Sequence, residues 1–229
     1  MQSNILLTNA ESSLKWADFE SSLQGRRIRS VVKRCFDLIF SILGLLVTCP
    51  ALFAIALVIK LDSKGPAFFK QERVGRYGRI FKIYKFRTMV HKADKLGKQI
   101  TIGEDNRITR VGRFIRKYKI DELPQLINVL KGEMSFVGPR PEVIKYVEKY
   151  TNYQRQVLMT KPGITDYASI EFRNESELLG QSSNPEEMYI SEIMPRKIDL
   201  NMRYIRDMSI ATDIKLIFQT LMKIASRQE

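Results

Sequence analysis

Residues 36–59 read FDLIFSILGLLVTCPALFAIALVI, a run in which Asp37 is the only charged side chain. About 20 consecutive apolar residues suffice for a helix to cross the hydrocarbon core of a bilayer. The run is too long for an ordinary buried helix in a chain of 229 residues. Nor is it a secretory leader, since it starts late and has no small-residue cleavage pattern behind it. Pro50 stands near its middle, where the missing amide hydrogen bends or breaks a helix. Basic residues flank both ends: Arg26, Arg27, Arg29, Lys33 and Arg34 before it, Lys60 and Lys64 after it. Lys and Arg favour the cytoplasmic side of a membrane. A spanning helix satisfies one flank, whereas a helix-break-helix hairpin returning to its own leaflet satisfies both. The sequence therefore predicts a re-entrant segment over residues 30–62, with Asp37 pairing with Lys33 or Arg34 at headgroup level. A bent spanning helix and a wholly protein-buried helix are the alternatives.

Upstream, residues 1–29 form a polar N-terminal extension with an amphipathic turn around residues 14–19. Downstream, residues 63–229 read as one cytosolic catalytic domain without repeats or an internal linker. Two β-prone runs, 67–74 and 79–89, surround a glycine-containing turn and predict a hairpin. Its second run aims Lys82, Lys85 and Arg87 at a phosphate or lipid headgroup, or else at solvent. A polar loop or short helix is expected over 91–106 and a cationic helix over 108–119. A helix from Asp121 follows, with Pro124 in its first turn and Gly132 as its stop. Gly138-Pro139-Arg140-Pro141 is a rigid turn. Further helices are expected over 142–156 and 213–226, the last with Ile214, Ile217, Leu221 and Ile224 on one face. The fold class expected is α+β, mainly helical, with amphipathic helices and a small β-hairpin.

Composition narrows the chemistry. With 38 Lys and Arg against 25 Asp and Glu, the net charge of +13 calls for an anionic partner. Nucleic acid, anionic lipid and phosphorylated substrates are the physical candidates. Cys35 and Cys49 carry neither a disulfide framework nor metal-site spacing. His91 is the only histidine, so acid–base or nucleophilic work falls to carboxylates, lysines or tyrosines. The lack of a glycine-rich phosphate loop argues against an ATP-driven kinase.

The adjacent pair Asp121-Glu122 follows Arg116, Lys117 and Lys119. An acidic pair at a helix start is commonly no more than a cap. Here a helix N-terminus would keep the carboxylates ionised, with Arg116 and Arg140 as bidentate phosphate clamps. A carboxylate attacking a phosphate needs a cation to offset both charges, and Mg²⁺ on one carboxylate and the substrate phosphates is the usual solution.

Lys33-Arg34-Cys35-Phe36-Asp37 before a proline-interrupted apolar helix, FKIYKFRTM over 81–89, DELPQLINVLKGEMSFVGPRPE over 121–142 and KPGIT over 161–165 resemble the bacterial sugar transferase family. More narrowly, they resemble its small monotopic phosphoglycosyl transferases. The resemblance covers roughly residues 30–225. It implies that Asp121 attacks the β-phosphate of a UDP-sugar, that UMP leaves, and that undecaprenyl phosphate then takes the sugar-phosphate. It further implies Glu122 as the Mg²⁺ ligand, Lys85, Arg116 and Arg140 as phosphate contacts, Arg173 at the nucleotide-sugar and Pro50 at a re-entrant bend. The expected setting is the cytoplasmic face of a bacterial inner membrane, among anionic lipids, with downstream glycosyltransferases as candidate partners and no nucleic acid. Cys49 stands where relatives often carry Ser, and Asp166-Tyr167 stands where many carry a Gly-Trp version. Two rivals remain: a membrane-anchored nucleic-acid-binding module, resting on charge alone, and a non-catalytic scaffold of glycan assembly.

Overall fold

The structure, a computed structural model, describes residues 27–91, 93 and 105–226. The turn expected at 14–19 and most of the stretch 91–106 lie outside the described residues. Arg27–Asp62 form one helix, α1, about 54 Å long at 1.5 Å per residue. It runs through Pro50 unbroken, which corrects the expected helix-break-helix. Proline deletes one backbone hydrogen bond, whereas a break would strand several backbone groups among apolar side chains. Close by, the Thr48 hydroxyl donates to the Gly44 carbonyl at 2.6 Å.

One stripe of α1 faces the rest of the protein, at the three- and four-residue spacing of a helix face. Asp37 and Ser41 are buried, and Gly44 lies so near Leu126 that a Cβ would sit 3.2 Å from its Cδ1. Leu52, Ile55, Ala56 and Ile59 pack in a cluster with Ala67, Phe86 and Ile115. The remaining faces expose Ile39, Phe40, Leu43, Leu46, Val47, Phe53 and Leu61. Within α1, Ser30–Asp62 is long and apolar enough to cross a membrane.

The expected pairing of Asp37 with Lys33 or Arg34 does not occur. Asp37 Oδ1 instead accepts from Ser135 Oγ at 3.0 Å and the Phe136 amide at 3.1 Å. Arg34 donates to the Val129 and Leu130 carbonyls at 2.7 and 3.0 Å. Lys33 pairs with Asp213, whose Oδ1 also accepts from the Tyr204 hydroxyl at 2.7 Å. Unmet backbone groups and a buried acid elsewhere in the fold outcompete the local pair, which solvent would weaken.

The hairpin forms as expected, with β1 (Phe68–Val74) antiparallel to β2 (Ile80–Phe86) and Val74 opposite Ile80. Helix α2 (Arg110–Lys117) is capped by the Thr109 side chain, and a left-handed Lys119 (φ 56°) turns the chain out of it. Asp121 and Glu122 then occupy a single 3₁₀ turn, Ile120–Glu122, not the first turn of an α-helix. Pro124 caps α3 (Gln125–Lys131), because its fixed φ suits a helix start. Gly132, at φ 82°, ends α3 as expected.

Strand β3 (Ser135–Val137) pairs in parallel with β4 (Gly163–Thr165). The helix expected over 142–156 is in fact the four-residue α4 (Ile144–Val147) and a separate 3₁₀ turn, Gln154–Met159. Tyr146, Val147, Val157 and Leu158 join the core cluster from these two pieces, so burial overrides local periodicity. The remaining helices are α5 (Tyr167–Glu171), α6 (Glu175–Gly180), α7 (Pro185–Met188), α8 (Met194–Asp207) and α9 (Ile210–Ala225), with a π turn at Tyr189–Ile193 before α8. In α9 the buried side chains are Asp213 and Leu216. The face that carries Ile214, Ile217, Leu221 and Ile224 is turned partly outward: Ile214 and Leu221 are exposed, together with Phe218 and Met222.

The β3–β4 pair is spaced for glycine. A Cβ on Gly163 would fall 2.1 Å from the Gly138 nitrogen and 2.5 Å from its oxygen. Backbone cannot retreat as a side-chain tip can, so Gly163→Ala is expected to cost about 3 kcal/mol. Thermal melting checks this, and a variant melting within a degree of the parent would contradict it.

Candidate functional site

Glu122 sits where three separate segments converge. Its Oε1 accepts from Lys85 Nζ of β2 at 2.9 Å, and Arg140 clamps it with both guanidinium nitrogens, Nη1 lying 3.2 Å from Oε2. Asn128 on α3 holds β2 in register for this contact. Its Oδ1 accepts from the Tyr84 amide at 3.0 Å, and its Nδ2 donates to the Lys82 carbonyl at 2.8 Å. Arg140 is fixed from both sides. Asp166, fully buried, accepts from the Arg140 amide at 3.0 Å while capping α5. Arg73 donates to the Pro141 carbonyl at 3.1 Å and to Glu142 at 3.3 Å, and the Tyr189 hydroxyl donates to the same carboxylate.

Asp121 and Glu122 are adjacent in sequence, both buried, and pushed apart electrostatically. Burial works to raise both. At Glu122 the charges of Arg140, Lys85 and Lys119 overcome it and hold the carboxyl well below the usual range. At Asp121 burial prevails, helped by the negative Glu122 and opposed by Lys85, Lys119 and Arg116, so its pKa is raised. Asp121 Oδ1 is sequestered and has no hydrogen-bond partner among the described residues. Two adjacent carboxyls driven in opposite directions by their surroundings make this pair the candidate for acid–base or nucleophilic chemistry.

Of the other residues singled out from sequence, Arg116 stands in the last turn of α2, close enough for its charge to act on Asp121. Arg173 lines a cavity of about 400 Å³ that Glu122 and Arg140 also line. Asp121 is not part of that wall. Arg87 is placed elsewhere: its Nη2 donates to the Ile59 and Ser63 carbonyls at 3.2 and 2.6 Å, closing the end of α1. Three residues escaped the sequence reading. Asn128 and Asp166 are the buried polar braces just described. Gln125, only 1% exposed and four residues beyond Asp121, has neither amide atom hydrogen-bonded among the described residues.

A divalent cation would find few protein ligands here. Among the described residues no three Asp, Glu, His or Cys side chains converge. The fit is to an ion held by this one acidic pair, with its remaining ligands drawn from phosphate and water. Glu122 retains a lone pair beyond those that Lys85 and Arg140 occupy, and Asp121 Oδ1 is unengaged.

The family model for bacterial sugar transferases matches residues 28–227. The chain is 39% identical over 210 residues to the UDP-glucose:undecaprenyl-phosphate glucose-1-phosphate transferase of Escherichia coli K12, covering 90% of this chain and 42% of that protein. It is 35% identical over 206 residues to the UDP-N-acetylgalactosamine-undecaprenyl-phosphate N-acetylgalactosaminephosphotransferase of Aeromonas hydrophila, covering 89% and 46%. The chain thus spans less than half the length of these two curated relatives. It is also 38% identical over 194 residues to the uncharacterized sugar transferase EpsL of Bacillus subtilis 168, covering 85% and 87%.

Proposed function

Because the chain belongs to the bacterial sugar transferase family, we propose that it moves a sugar-1-phosphate from a UDP-sugar to undecaprenyl phosphate in the first membrane step of glycan assembly. The observation that carries this reading is the divided acidic pair, one carboxylate clamped by cations and its neighbour buried with one oxygen unpartnered among the described residues. An Asp121 oxygen attacks the β-phosphorus, the bond to the bridging oxygen breaks, and UMP departs with that oxygen. An oxygen of the lipid phosphate then attacks the same phosphorus and breaks its bond to Asp121, restoring the carboxylate. Arg140 and Lys85 position the phosphates, with Arg116 and Arg173 as further contacts. Mg²⁺, held at Glu122, would neutralise the charge gathering on the transferred phosphate.

The same reading puts α1 in the cytoplasmic leaflet of the inner membrane, bent at Pro50 without ending as a helix, so that both its ends lie on one side. Both halves of α1 dock on the same domain, through Lys33 and Asp37 at one end and Ile59 at the other, about 39 Å apart along the axis. A helix that crossed the bilayer would carry one of these ends away from a domain in water. Anionic lipids would meet the basic flanks, and downstream glycosyltransferases would take the product.

Incubating the purified protein with UDP-sugars, Mg²⁺ and undecaprenyl phosphate should release UMP, and label on the β-phosphate should become acid-stably attached to the protein before acceptor is added. Lack of both would overturn the reading. Glu122→Gln is expected to lower the rate on the order of 10²-fold and to shift its acidic limb to lower pH. The negative neighbour that helps raise Asp121 is then gone, while Lys85, Lys119 and Arg116 remain, so Asp121 ionises at lower pH. An acidic limb that stays in place or moves upward in the pH–rate profile would refute that assignment.

A further inference from the structure

We propose that the cavity between α3 and α9 holds the lipid end of the acceptor, taking the first isoprenoid units beside the phosphate by lateral entry from the bilayer. The inference rests on the acceptor being a polyprenyl phosphate, as proposed above, and adds where its chain goes. The cavity, about 400 Å³, has an overwhelmingly apolar lining built from Leu123 just before α3 and Leu126 within it, Phe136 and Ile164 of the β3–β4 pair, and Ile217 and Leu221 of α9. That size is at the small end of sites that enclose an organic ligand.

Two links tie these walls to the surfaces that meet lipid. Leu221 is 59% exposed and continues the outer apolar face of α9 formed by Ile214, Phe218 and Met222. On the opposite wall, Leu126 touches Gly44 of α1, the helix with the longest exposed apolar surface. An apolar chain moving from the leaflet into the cavity therefore need not leave an apolar surface.

Charge places the other end of the ligand. Arg140, Lys119 and Arg173 belong to the same wall as Glu122, so a phosphate attached to the chain meets the guanidinium next to the reaction centre. A nucleobase is the wrong shape of chemistry for this space. It needs several donors and acceptors, and burying them unpaired is costly. The Thr165 and Thr220 hydroxyls in the lining are already hydrogen-bonded to each other at 2.6 Å, which leaves the Ser169 hydroxyl, buried and unpartnered among the described residues, as one polar group where a base needs several.

The test separates the two half-reactions. Exchange of labelled UMP into UDP-sugar needs no acceptor, whereas full transfer does. In detergent micelles, Leu221→Gln and Ile217→Trp are each compared with the parent for both rates, with undecaprenyl phosphate and the two-unit geranyl phosphate as acceptors. The expected result is exchange within twofold of the parent, with KM for both acceptors raised at least tenfold. Unchanged exchange also shows that the variants are folded. Exchange slowed as much as transfer would assign the cavity to the nucleotide-sugar and overturn the inference alone. An unchanged KM for both acceptors would overturn it as well. Absence of exchange in the parent would overturn the proposed reaction and this inference with it.

Discussion

Replacing Asp121 with Asn should abolish UMP release, by on the order of 10³-fold or more, and should raise the melting temperature of the same protein. The first effect follows if Asp121 forms the bond to phosphorus, since an amide is a poor nucleophile and no neighbour can replace it. Glu122, the nearest carboxylate, is committed to Lys85 and Arg140. The second effect follows from the environment alone. The Asp121 pKa is raised in the folded protein, chiefly by burial and then by Glu122. The folded chain therefore binds that proton more tightly than the unfolded chain does. Stability is lost as pH rises from the unfolded value through the folded one. Above that window the native state carries a buried charge with one unpartnered oxygen, a burden that Asn removes. A gain of about 1 kcal/mol corresponds to roughly 2–4 °C in a chain this size. The gain should vanish in acid, where the aspartate is already neutral. Melting curves at pH 7.5 and pH 4, run beside the UMP assay, test both halves. An Asn variant that still releases UMP at the parental rate removes Asp121 from the chemistry. One that melts lower at neutral pH refutes the electrostatic account.

Lys33→Met should have the largest effect on stability, about 3–5 kcal/mol. Lys33 and Asp213 are 13% and 1% exposed, and Asp213 is the acid that Tyr204 also engages. Burial raises the Asp213 pKa and Lys33 is the main influence lowering it. Without Lys33 the Asp213 pKa climbs further, so the cost should grow with rising pH and shrink in acid, where protonation relieves the stranded charge. Adding Asp213→Asn keeps an acceptor for Tyr204 and removes the charge. The double variant should therefore recover at least half of the loss. Thermal melts of both single variants and the pair at pH 6 and pH 8 form the cycle. Simple additivity of the two losses would show that the pair is not coupled as described.

How far the sequence led depended on whether the deciding interaction was local. The hairpin was legible because its turn contains Gly75 and Gly78 and its strands carry β-prone side chains, all within twenty residues. Gly132 was legible as a helix stop for the same reason. The roles of Asp37, Asn128 and Asp166 were not. Each is a buried polar side chain whose partners, Phe136, Tyr84 and Arg140, lie 26 to 99 residues away. Nothing in a local pattern separates such a brace from a solvated polar residue. Pro50 misled in the opposite direction. Its local effect is real, but continuous docking of α1 on either side of it decides whether a helix ends. At the site, the cations Lys85 and Arg140 could be named from sequence, whereas the unequal surroundings of Asp121 and Glu122 depend on burial that only the fold determines.

The Lys33–Asp213 contact also sets a clock. The two residues are 180 positions apart, so at ribosomal rates of roughly 5–20 residues per second the acid emerges about 10–40 s after the lysine. Throughout that interval the apolar segment is already available to the lipid phase, with an ammonium at its edge that has no carboxylate to meet. The Lys33 end of α1 therefore gains its tie to α9 late, after the partners of Asp37 and Ile59, which lie between residues 67 and 136, have been made. A chain stopped before Asp213 would keep those earlier contacts of α1 and lack only the ion pair at its Lys33 end.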